Sequence, residues 1–142
     1  ERAVELAHQA RLEANGMFMI GLPRETENEI IDTINLALRL KLRFAIFNIF
    51  VPYPGCELYD TLNNQGKIHF EDWSDFTSYP TFTNKEPVYV PDGMSKAKLM
   101  NLQRCAMKKF YLRPYFIWGE IKNFKPRMIK KYWHGLTGVL KK

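Results

Sequence analysis

Two apolar segments joined by one amphipathic helix constrain this sequence more than any other feature. The first covers residues 17–22 and the second covers residues 44–51. A strand that is apolar on both sides is typical of a parallel sheet buried between two layers. Between the two segments, Thr26 and Glu29 form a capping-box pattern that begins a helix over residues 26–42. The sequence therefore predicts a right-handed β-α-β unit with two parallel strands.

Shorter elements are predicted on either side of this unit. Residues 2–14 place apolar side chains on one helical face, and Asn15-Gly16 is predicted to end that helix because glycine tolerates the left-handed conformation. After the second strand, residues 52–55 contain two prolines and a glycine, which direct the chain out of the sheet. A short helix is predicted at residues 57–62.

The second half of the sequence is rich in aromatic residues. Residues 67–93 are predicted to form an ordered loop region held in place by aromatic side chains, with one short strand at residues 88–90. Ser95 is a favourable helix N-cap, so a helix is predicted from there to Leu112. Residues 115–142 are predicted to be helical in pieces. The inward face of the long helix is expected to consist of Leu99, Leu102, Ala106, Met107 and Phe110.

The composition fits a folded domain, but the charge is divided unevenly. The 142 residues are 46% hydrophobic and 25% charged, and no apolar run approaches the ~20 residues of a membrane span. Residues 1–95 carry a net charge of −6 (8 basic, 14 acidic), whereas residues 96–142 carry +12 (13 basic, 1 acidic). We expect a conventional globular portion followed by a basic tail.

The number of cysteines and the identity of the first residue lead us to expect that this sequence is part of a longer chain. Cys56 and Cys105 are too few for a four-thiolate iron–sulfur site in this chain, and each is interpreted as a small, free apolar residue. No catalytic or metal-ligating residue is predicted. The sequence begins at Glu1, inside a predicted helix and without an initiator Met, so we expect it to be part of a longer chain.

The carboxyl ends of the two predicted strands form the candidate binding site. Ligands of α/β sheets bind at that edge, where strand ends and helix N-termini converge. Gly21 would let the backbone approach a ligand closely, and the start of the next helix would offer free amide groups. Residues 51–55 would present backbone groups to a planar ring. A plain strand-to-helix turn and a proline-shaped exit from the sheet explain the same patterns without a ligand, and these alternatives stay open.

Four short segments occur in an order typical of one enzyme family. They are residues 18–26 (FMIGLPRET), residues 50–59 (FVPYPGCELY), residues 72–74 (DWS) and residues 110–114 (FYLRP). Together they resemble the radical S-adenosylmethionine (SAM) enzymes. The resemblance is closest to the subgroup with an N-terminal cobalamin-binding domain, which includes anaerobic magnesium-protoporphyrin monomethyl ester cyclases and related iron–sulfur oxidoreductases. Members of that subgroup typically read FMIGLPGET, TPYPGTELY, DWS and FYLRP.

The resemblance implies an α/β fold, the C-terminal β-α-β portion of a partial (β/α)6 TIM-type barrel. Residues 1–66 would be the end of the barrel, and residues 67–142 would form an aromatic loop and a basic, mainly helical C-terminal extension. The family's Cys-x-x-x-Cys-x-x-Cys loop and its glycine-rich SAM-binding segment follow earlier strands, which this sequence does not contain.

The resemblance also implies which residues approach the cofactor. Four positions would lie nearest SAM, mostly through backbone and apolar contacts: Met19, Gly21, Val51 and Tyr53. Arg24 stands where the family usually has glycine, and we expect it to change the turn or to present a cation to an anionic substrate. Cys56 stands where the family usually has Thr, which we interpret as a neutral exchange of small residues.

For the parent enzyme, the resemblance implies reductive cleavage of SAM at a 4Fe–4S cluster to a 5′-deoxyadenosyl radical. That radical would abstract hydrogen from a substrate, or SAM and cobalamin would together support methyl transfer. This chain would form the adenosyl and substrate side of a cytoplasmic enzyme and would be inactive alone. Expected partners are the rest of the parent chain, a small-molecule or lipid-like substrate and, for the isolated fragment, a second copy joined through strand edges.

A second hypothesis is a non-catalytic interaction module that acts through its tail. The tail interleaves lysine and arginine with the aromatic residues Trp118, Phe124, Tyr132 and Trp133. Such a segment binds an anionic membrane surface or nucleic acid, or lies solvated on the rest of the protein. We favour the solvated extension over peripheral membrane contact, and membrane contact over nucleic acid.

Overall fold

The computed structural model describes residues 1–114 and 116–118 and has a mixed α/β architecture. Two strands, five α-helices and one 3₁₀ helix follow each other from Arg2 to Tyr111. Their bounds are α1 Arg2–Gln9, β1 Asn15–Ile20, α2 Glu27–Arg39, β2 Phe44–Ile49, α3 Glu57–Asn64, the 3₁₀ helix Trp73–Asp75, α4 Pro80–Thr83 and α5 Lys96–Tyr111. No helix in the described residues is both long and apolar enough to cross a membrane.

Strands β1 and β2 are parallel neighbours, which confirms the central prediction. Their register runs from Asn15 opposite Phe44 to Ile20 opposite Ile49. Helix α2 is the connection between them, and it begins with the predicted capping box at Thr26. The long helix α5 begins after Ser95, whose side chain accepts a hydrogen bond from the Lys98 amide, also as predicted.

Two predicted local elements are wrong. Helix α1 ends at Gln9 rather than at residue 14, because Arg11 adopts the left-handed conformation (φ 59°). The Leu12 amide then bonds back to the Ala7 carbonyl, a helix stop that needs no glycine here. Residues 88–90 do not form a strand, although Val88 is buried and its carbonyl accepts a bond from the His69 amide.

The sheet is covered on one face only. Ile20, Phe47 and Ile49 lie on the face that packs against α2 and α5 in the main core. On the opposite face Met17 is 77% exposed and Met19 48% exposed. The predicted burial between two layers is therefore wrong for this face, because the described residues supply only one covering layer.

Helix α5 and the segment before α4 close the outer edge of β2. The Tyr111 hydroxyl donates to the Ala45 carbonyl (2.8 Å) and accepts from the Ala45 amide (3.4 Å). The Gln103 side-chain amide donates to the carbonyls of Phe47 (2.8 Å) and Ser78 (2.9 Å). The Ser78 carbonyl also accepts from the Ile49 amide at 3.0 Å. Groups from outside the sheet thus occupy the positions that another strand would fill.

The FYLRP segment ties the end of α5 to the end of α2. The Arg113 guanidinium donates to the carbonyls of Leu38 (3.4 Å), Leu40 (3.4 Å) and Leu42 (2.8 Å). It also lies 3.9 Å from the centroid of the Phe110 ring. Since helix C-terminal carbonyls lack partners within the helix, Arg113 is a C-terminal cap supplied from elsewhere in the chain.

A second, smaller cluster lies in the C-terminal half of the described chain. It consists of Leu62, Ile68, Val88 and Tyr89, with Phe50, Val51, Tyr59 and Phe76 packed against it. Helix α5, by contrast, belongs to the main core of the sheet through Leu99 and Phe110. The predicted division of the chain at residue 66 stays a prediction.

Candidate functional site

The two segments that carry the resemblance follow neighbouring strands at the same edge of the sheet. Residues 21–25 follow β1, and residues 50–56 follow β2. The Phe50 amide donates to the Ile20 carbonyl at 2.8 Å, so the pairing extends one residue beyond β2. Because the strands are parallel, both loops leave from the carboxyl edge, where α/β proteins bind ligands. We treat this edge as the candidate site.

Gly21 is the first residue after β1, and both its backbone conformation and the packing around it require a glycine there. Its φ is 81°, a conformation that residues with a side chain rarely adopt. A Cβ added there would lie 3.0 Å from the Cδ2 atom of Leu99. The space beside Gly21 is thus filled by helix α5, so this glycine is explained by the fold even without a ligand.

The amide groups beyond β1 are already hydrogen-bonded. The Glu25 carboxylate accepts from the amides of Gly21 (2.5 Å) and Leu22 (2.9 Å). At the helix start the Glu29 carboxylate accepts from the Thr26 amide (2.8 Å), and the Thr26 hydroxyl accepts from the Glu29 amide (3.4 Å). Hydrogen bonds from the Thr26 amide and hydroxyl to the Glu29 carboxylate lower the pKa of Glu29. The expectation of free amides is wrong for these four groups, because the side chains of Glu25, Thr26 and Glu29 accept hydrogen bonds from them.

Arg24 lies in a turn whose backbone geometry suits glycine at this position. It adopts a left-handed conformation with φ 66°, and its side chain is exposed. Glycine adopts this conformation without the Cβ penalty of other residues, which explains why a glycine at this position suits the turn. Arg24 therefore takes over a backbone geometry that suits glycine and adds a guanidinium group at the carboxyl edge.

The loop after β2 is fixed by a buried proline and by a cysteine cap. Pro52 is fully buried, whereas Tyr53 is exposed and its hydroxyl donates to the Phe76 carbonyl at 3.4 Å. The Cys56 sulfur accepts from the Tyr59 amide (3.4 Å) and donates to the Tyr53 carbonyl (3.1 Å). Cys56 is thus the exposed N-cap of α3, which corrects its interpretation as a small apolar residue.

An aromatic cluster borders this loop, with Phe76 at its centre. The Phe76 ring centroid lies 4.9 Å from that of Phe70, 5.3 Å from Trp73, 6.0 Å from Tyr53 and 6.4 Å from Tyr59. Trp73 is 65% exposed, so the cluster presents an aromatic surface to solvent. We call these five residues the aromatic cluster.

The DWS segment holds Trp73 in this cluster. The Asp72 carboxylate accepts from the Ser74 amide at 2.7 Å, and hydrogen bonds from the Ser74 side chain and amide lower the pKa of Asp72. Asp75 accepts from the Glu71 and Asp72 amides and pairs with Lys85 at 2.8 Å. Lys85 and these amides lower the pKa of Asp75 to about 2. The turn is therefore braced by ionised carboxylates.

The structure brings the four predicted cofactor positions to one end of the sheet in different environments. Met19 is on the uncovered face, Gly21 is buried, Val51 is half-buried against the second cluster and Tyr53 is exposed. Their contact with SAM stays a prediction. Among the described residues, no three His, Cys, Asp or Glu side chains converge to hold a metal ion.

Sequence reasoning missed several side chains that shape this site. Glu25 is one of them, because its carboxylate accepts from the Gly21 and Leu22 amides just after β1. Gln103 falls on the inward stripe of α5 at helical spacing from Leu99 and Ala106, and a polar residue there signals a buried hydrogen-bonding role. The basic tail from residue 119 onward lies outside the described residues, so the hypotheses about it stay predictions.

Comparison with known proteins gives enzymes as relatives, although no family model matches the chain. An uncharacterized methyltransferase of Pyrococcus horikoshii is 31% identical over 137 residues, which is 96% of this chain and 28% of the relative. The anaerobic magnesium-protoporphyrin IX monomethyl ester cyclase of Rubrivivax gelatinosus is 24% identical over 141 residues, 99% of this chain and 23% of the relative. The bacteriochlorophyllide d C-8(2)-methyltransferase of Chlorobaculum tepidum is 26% identical over 77 residues, 54% of this chain and 17% of the relative.

These relatives agree with the resemblance at the level of reaction class. They are named as methyltransferases and a cyclase, and the cyclase is of the kind that the four segments resemble. The chain spans between 17% and 28% of the length of these curated relatives. What a whole protein of this kind does is therefore a matter for proposal.

Proposed function

We propose that this chain is part of a radical SAM methyltransferase or cyclase, as the last two strands of its partial barrel. One observation carries the proposal: the two segments that resemble the family follow adjacent parallel strands and leave the sheet at the same carboxyl edge. The relatives named as methyltransferases and a cyclase support it independently. We propose that this edge and the uncovered face of the sheet face the adenosyl group of SAM and the substrate.

The uncovered face suits an adenosyl group by its chemistry. Met17 and Met19 lie exposed on β1, and Phe44 lies on the same face of β2. This mainly apolar surface, with Asn48 beside Met19, packs against a planar ring and excludes water from it. Met19 is the methionine nearer the carboxyl edge, so we assign it the contact with the base.

The second loop would form the substrate side of the site. Tyr53 stacks at an angle against Phe76, and the rest of the aromatic cluster extends this surface. The buried Pro52 fixes the backbone φ at the start of the loop. These residues would bind and orient a substrate, and none of them is assigned a chemical step.

The iron–sulfur cluster and cobalamin of such an enzyme would be bound elsewhere in the parent. Cys56 is engaged as a helix cap, and Cys105 lies on α5, so the described residues do not fit a cluster. We assign this chain only the binding and shielding of SAM and substrate.

The proposal is tested with the full-length parent protein, purified without oxygen and with its cluster reconstituted. Met19→Gln removes apolar contact beneath the base, and Met17→Gln is the matched control farther from the carboxyl edge. We expect Met19→Gln to weaken SAM binding about fivefold, the equivalent of about 1 kcal/mol of apolar contact, and Met17→Gln to change it less than twofold. Binding of labelled SAM by equilibrium dialysis and formation of 5′-deoxyadenosine are the two measurements. A parent that neither binds nor cleaves SAM would overturn the proposal, and equal effects of the two variants would remove Met19 from the site.

A further inference from the structure

Arg24 has a backbone conformation that disfavours it. Its φ of 66° lies in the left-handed region, where a residue with a Cβ is less stable than glycine. Gly21, in the same turn, also has a positive φ, a conformation that glycine adopts freely. A large, charged side chain at such a position contributes nothing to the turn itself, since the turn's hydrogen bonds are made by Glu25.

The acidic residues around Arg24 are all engaged with other partners. Glu25 binds the Gly21 and Leu22 amides, and Glu29 binds Thr26. Glu27 pairs with Lys98 at 2.7 Å. Within residues 1–114 and 116–118, the Arg24 guanidinium has no hydrogen bond or ion pair. Three nearby carboxylates thus leave this one cation available to a ligand.

The position of Arg24 distinguishes it from another available cation. Lys41 is also exposed and also has no ion pair among the described residues, but it lies in the connection before β2, at the opposite edge of the sheet. Arg24 lies at the carboxyl edge, on the loop beside the one that carries Tyr53 and the aromatic cluster. Its five donors suit the two oxygens of a carboxylate or a phosphate.

We propose that Arg24 binds an anionic oxygen group, a carboxylate or a phosphate, of the ligand that occupies the carboxyl edge of β1 and β2. The inference rests on the proposed function only in placing a ligand at this edge. It adds the charge of that ligand, and it makes Arg24 a specificity-determining residue.

The experiment uses three probes with the same ring and different head groups: 2-naphthoate, 2-naphthyl phosphate and the neutral 2-naphthamide. Each is titrated into the 142-residue chain, and amide chemical shifts of Gly21 and Leu22 together with the Arg24 Nε–H report the binding site and the dissociation constant. We expect at least one anionic probe to bind about tenfold more tightly than the amide, because hydrogen bonds to charged groups are the stronger kind. The stronger of the two anions identifies the carboxylate or the phosphate as the preferred group.

Three variants and one control assign the effect to the guanidinium. Arg24→Gln and Arg24→Gly should abolish the difference between anionic and neutral probes, and Arg24→Lys should retain part of it. Arg24→Gly also relieves the backbone, so a loss of binding there cannot be blamed on a distorted turn. Lys41→Gln should change nothing. Equal affinities for all three probes, no binding at this loop at millimolar concentrations, or the same loss in Lys41→Gln would overturn the proposal. Since SAM is absent from this assay, the outcome is separate from that of the SAM-binding test.

Discussion

The two edges of the small sheet differ in how their backbone groups are used. Along the outer edge of β2, Tyr111 and Gln103 bond to Ala45 and Phe47, and the Ser78 carbonyl accepts from Ile49. Along the outer edge of β1, no third strand pairs within residues 1–114 and 116–118. The outer edge of β2 is therefore closed by hydrogen bonds from outside the sheet, whereas the outer edge of β1 pairs with no strand of the described residues.

The alternation of a parallel ladder identifies the residues of the open edge. The Ile20 carbonyl points toward β2, where it accepts from Phe50. Along a strand, the backbone groups of successive residues point to opposite sides. Those of Phe18 and Ile20 point toward β2, so those of Met17 and Met19 point away from it. The open edge and the uncovered face thus meet at the same two methionines. We propose that preceding parts of the parent cover both, which fits β2 as the last strand of a sheet and β1 as an internal one.

The largest effect is expected when the closed edge is opened at Gln103. In Gln103→Leu, the Phe47 carbonyl loses its donor and the Ser78 carbonyl keeps only the Ile49 amide, while the site stays buried. Leaving one buried group unsatisfied costs about 1–3 kcal/mol, so a loss of roughly 2–3 kcal/mol is expected when the lost bond to Ser78 is included. Urea unfolding followed by circular dichroism measures it.

Gln9→Leu is the matched control for Gln103→Leu. Gln9 is an exposed glutamine near the end of α1, and its replacement should change stability by less than about 0.5 kcal/mol. If both variants unfold at the same urea concentration, Gln103 does not hold the edge.

A smaller loss is expected for Tyr111→Phe. The ring stays in contact with Phe110 and Phe44, while Ala45 loses the hydroxyl that both donates to its carbonyl and accepts from its amide. The expected loss is about 1–2 kcal/mol, measured by the same urea titration. An unchanged stability would mean that water replaces the hydroxyl, and the edge would then be open at this point.

Tyr111 also makes the closed edge sensitive to alkaline pH. Burial raises its pKa from 10.0 to about 12, so the folded protein prefers the neutral hydroxyl more than the unfolded chain does. This contribution is complete below pH 10, the unfolded value, and is lost as the pH rises toward 12. The native protein should lose stability across this window, and Tyr111→Phe should lose less. Parallel loss in the two proteins would contradict the assignment.

The closed edge was beyond sequence reasoning, whereas the strands that it borders were not. Apolar runs and the Thr26–Glu29 capping box are local patterns, and they sufficed to predict two parallel strands with a helix between them. Gln103 acts on groups that are 56 and 25 residues away in the sequence, so its role exists only after α5 has packed on β2. Its place on an apolar helical stripe was the one available signal.

In the candidate site, too, some features were predictable from local sequence patterns and others were not. Its location followed from the two strand ends, whereas the positive φ of Gly21 is known only from the structure. The Glu25 bonds to the turn and the Cys56 cap were missed, because acidic and cysteine side chains have several common roles near a helix start. The uncovered face was missed as well, because an apolar strand pattern does not show whether both of its faces are covered.

The smallest effect is expected at the open edge, where the isolated chain should form a weak dimer through β1. Two short strands bury little surface, so a dissociation constant no tighter than about 10⁻⁴ M is expected. Met17→Pro removes an amide that points away from β2, so it should leave the β1–β2 ladder intact and abolish the dimer. Sedimentation equilibrium over a range of concentrations measures the association.

A second variant separates edge pairing from simple contact between apolar faces. Met17→Lys keeps the amide but charges the uncovered face. If strand pairing drives association, Met17→Pro should be the more disruptive of the two, whereas association through the apolar face should be more sensitive to Met17→Lys. A native chain that stays monomeric at millimolar concentration would show that the edge of β1 does not self-associate. The asymmetry of the two edges would then have to be tested with the preceding parts of the parent rather than with a second copy.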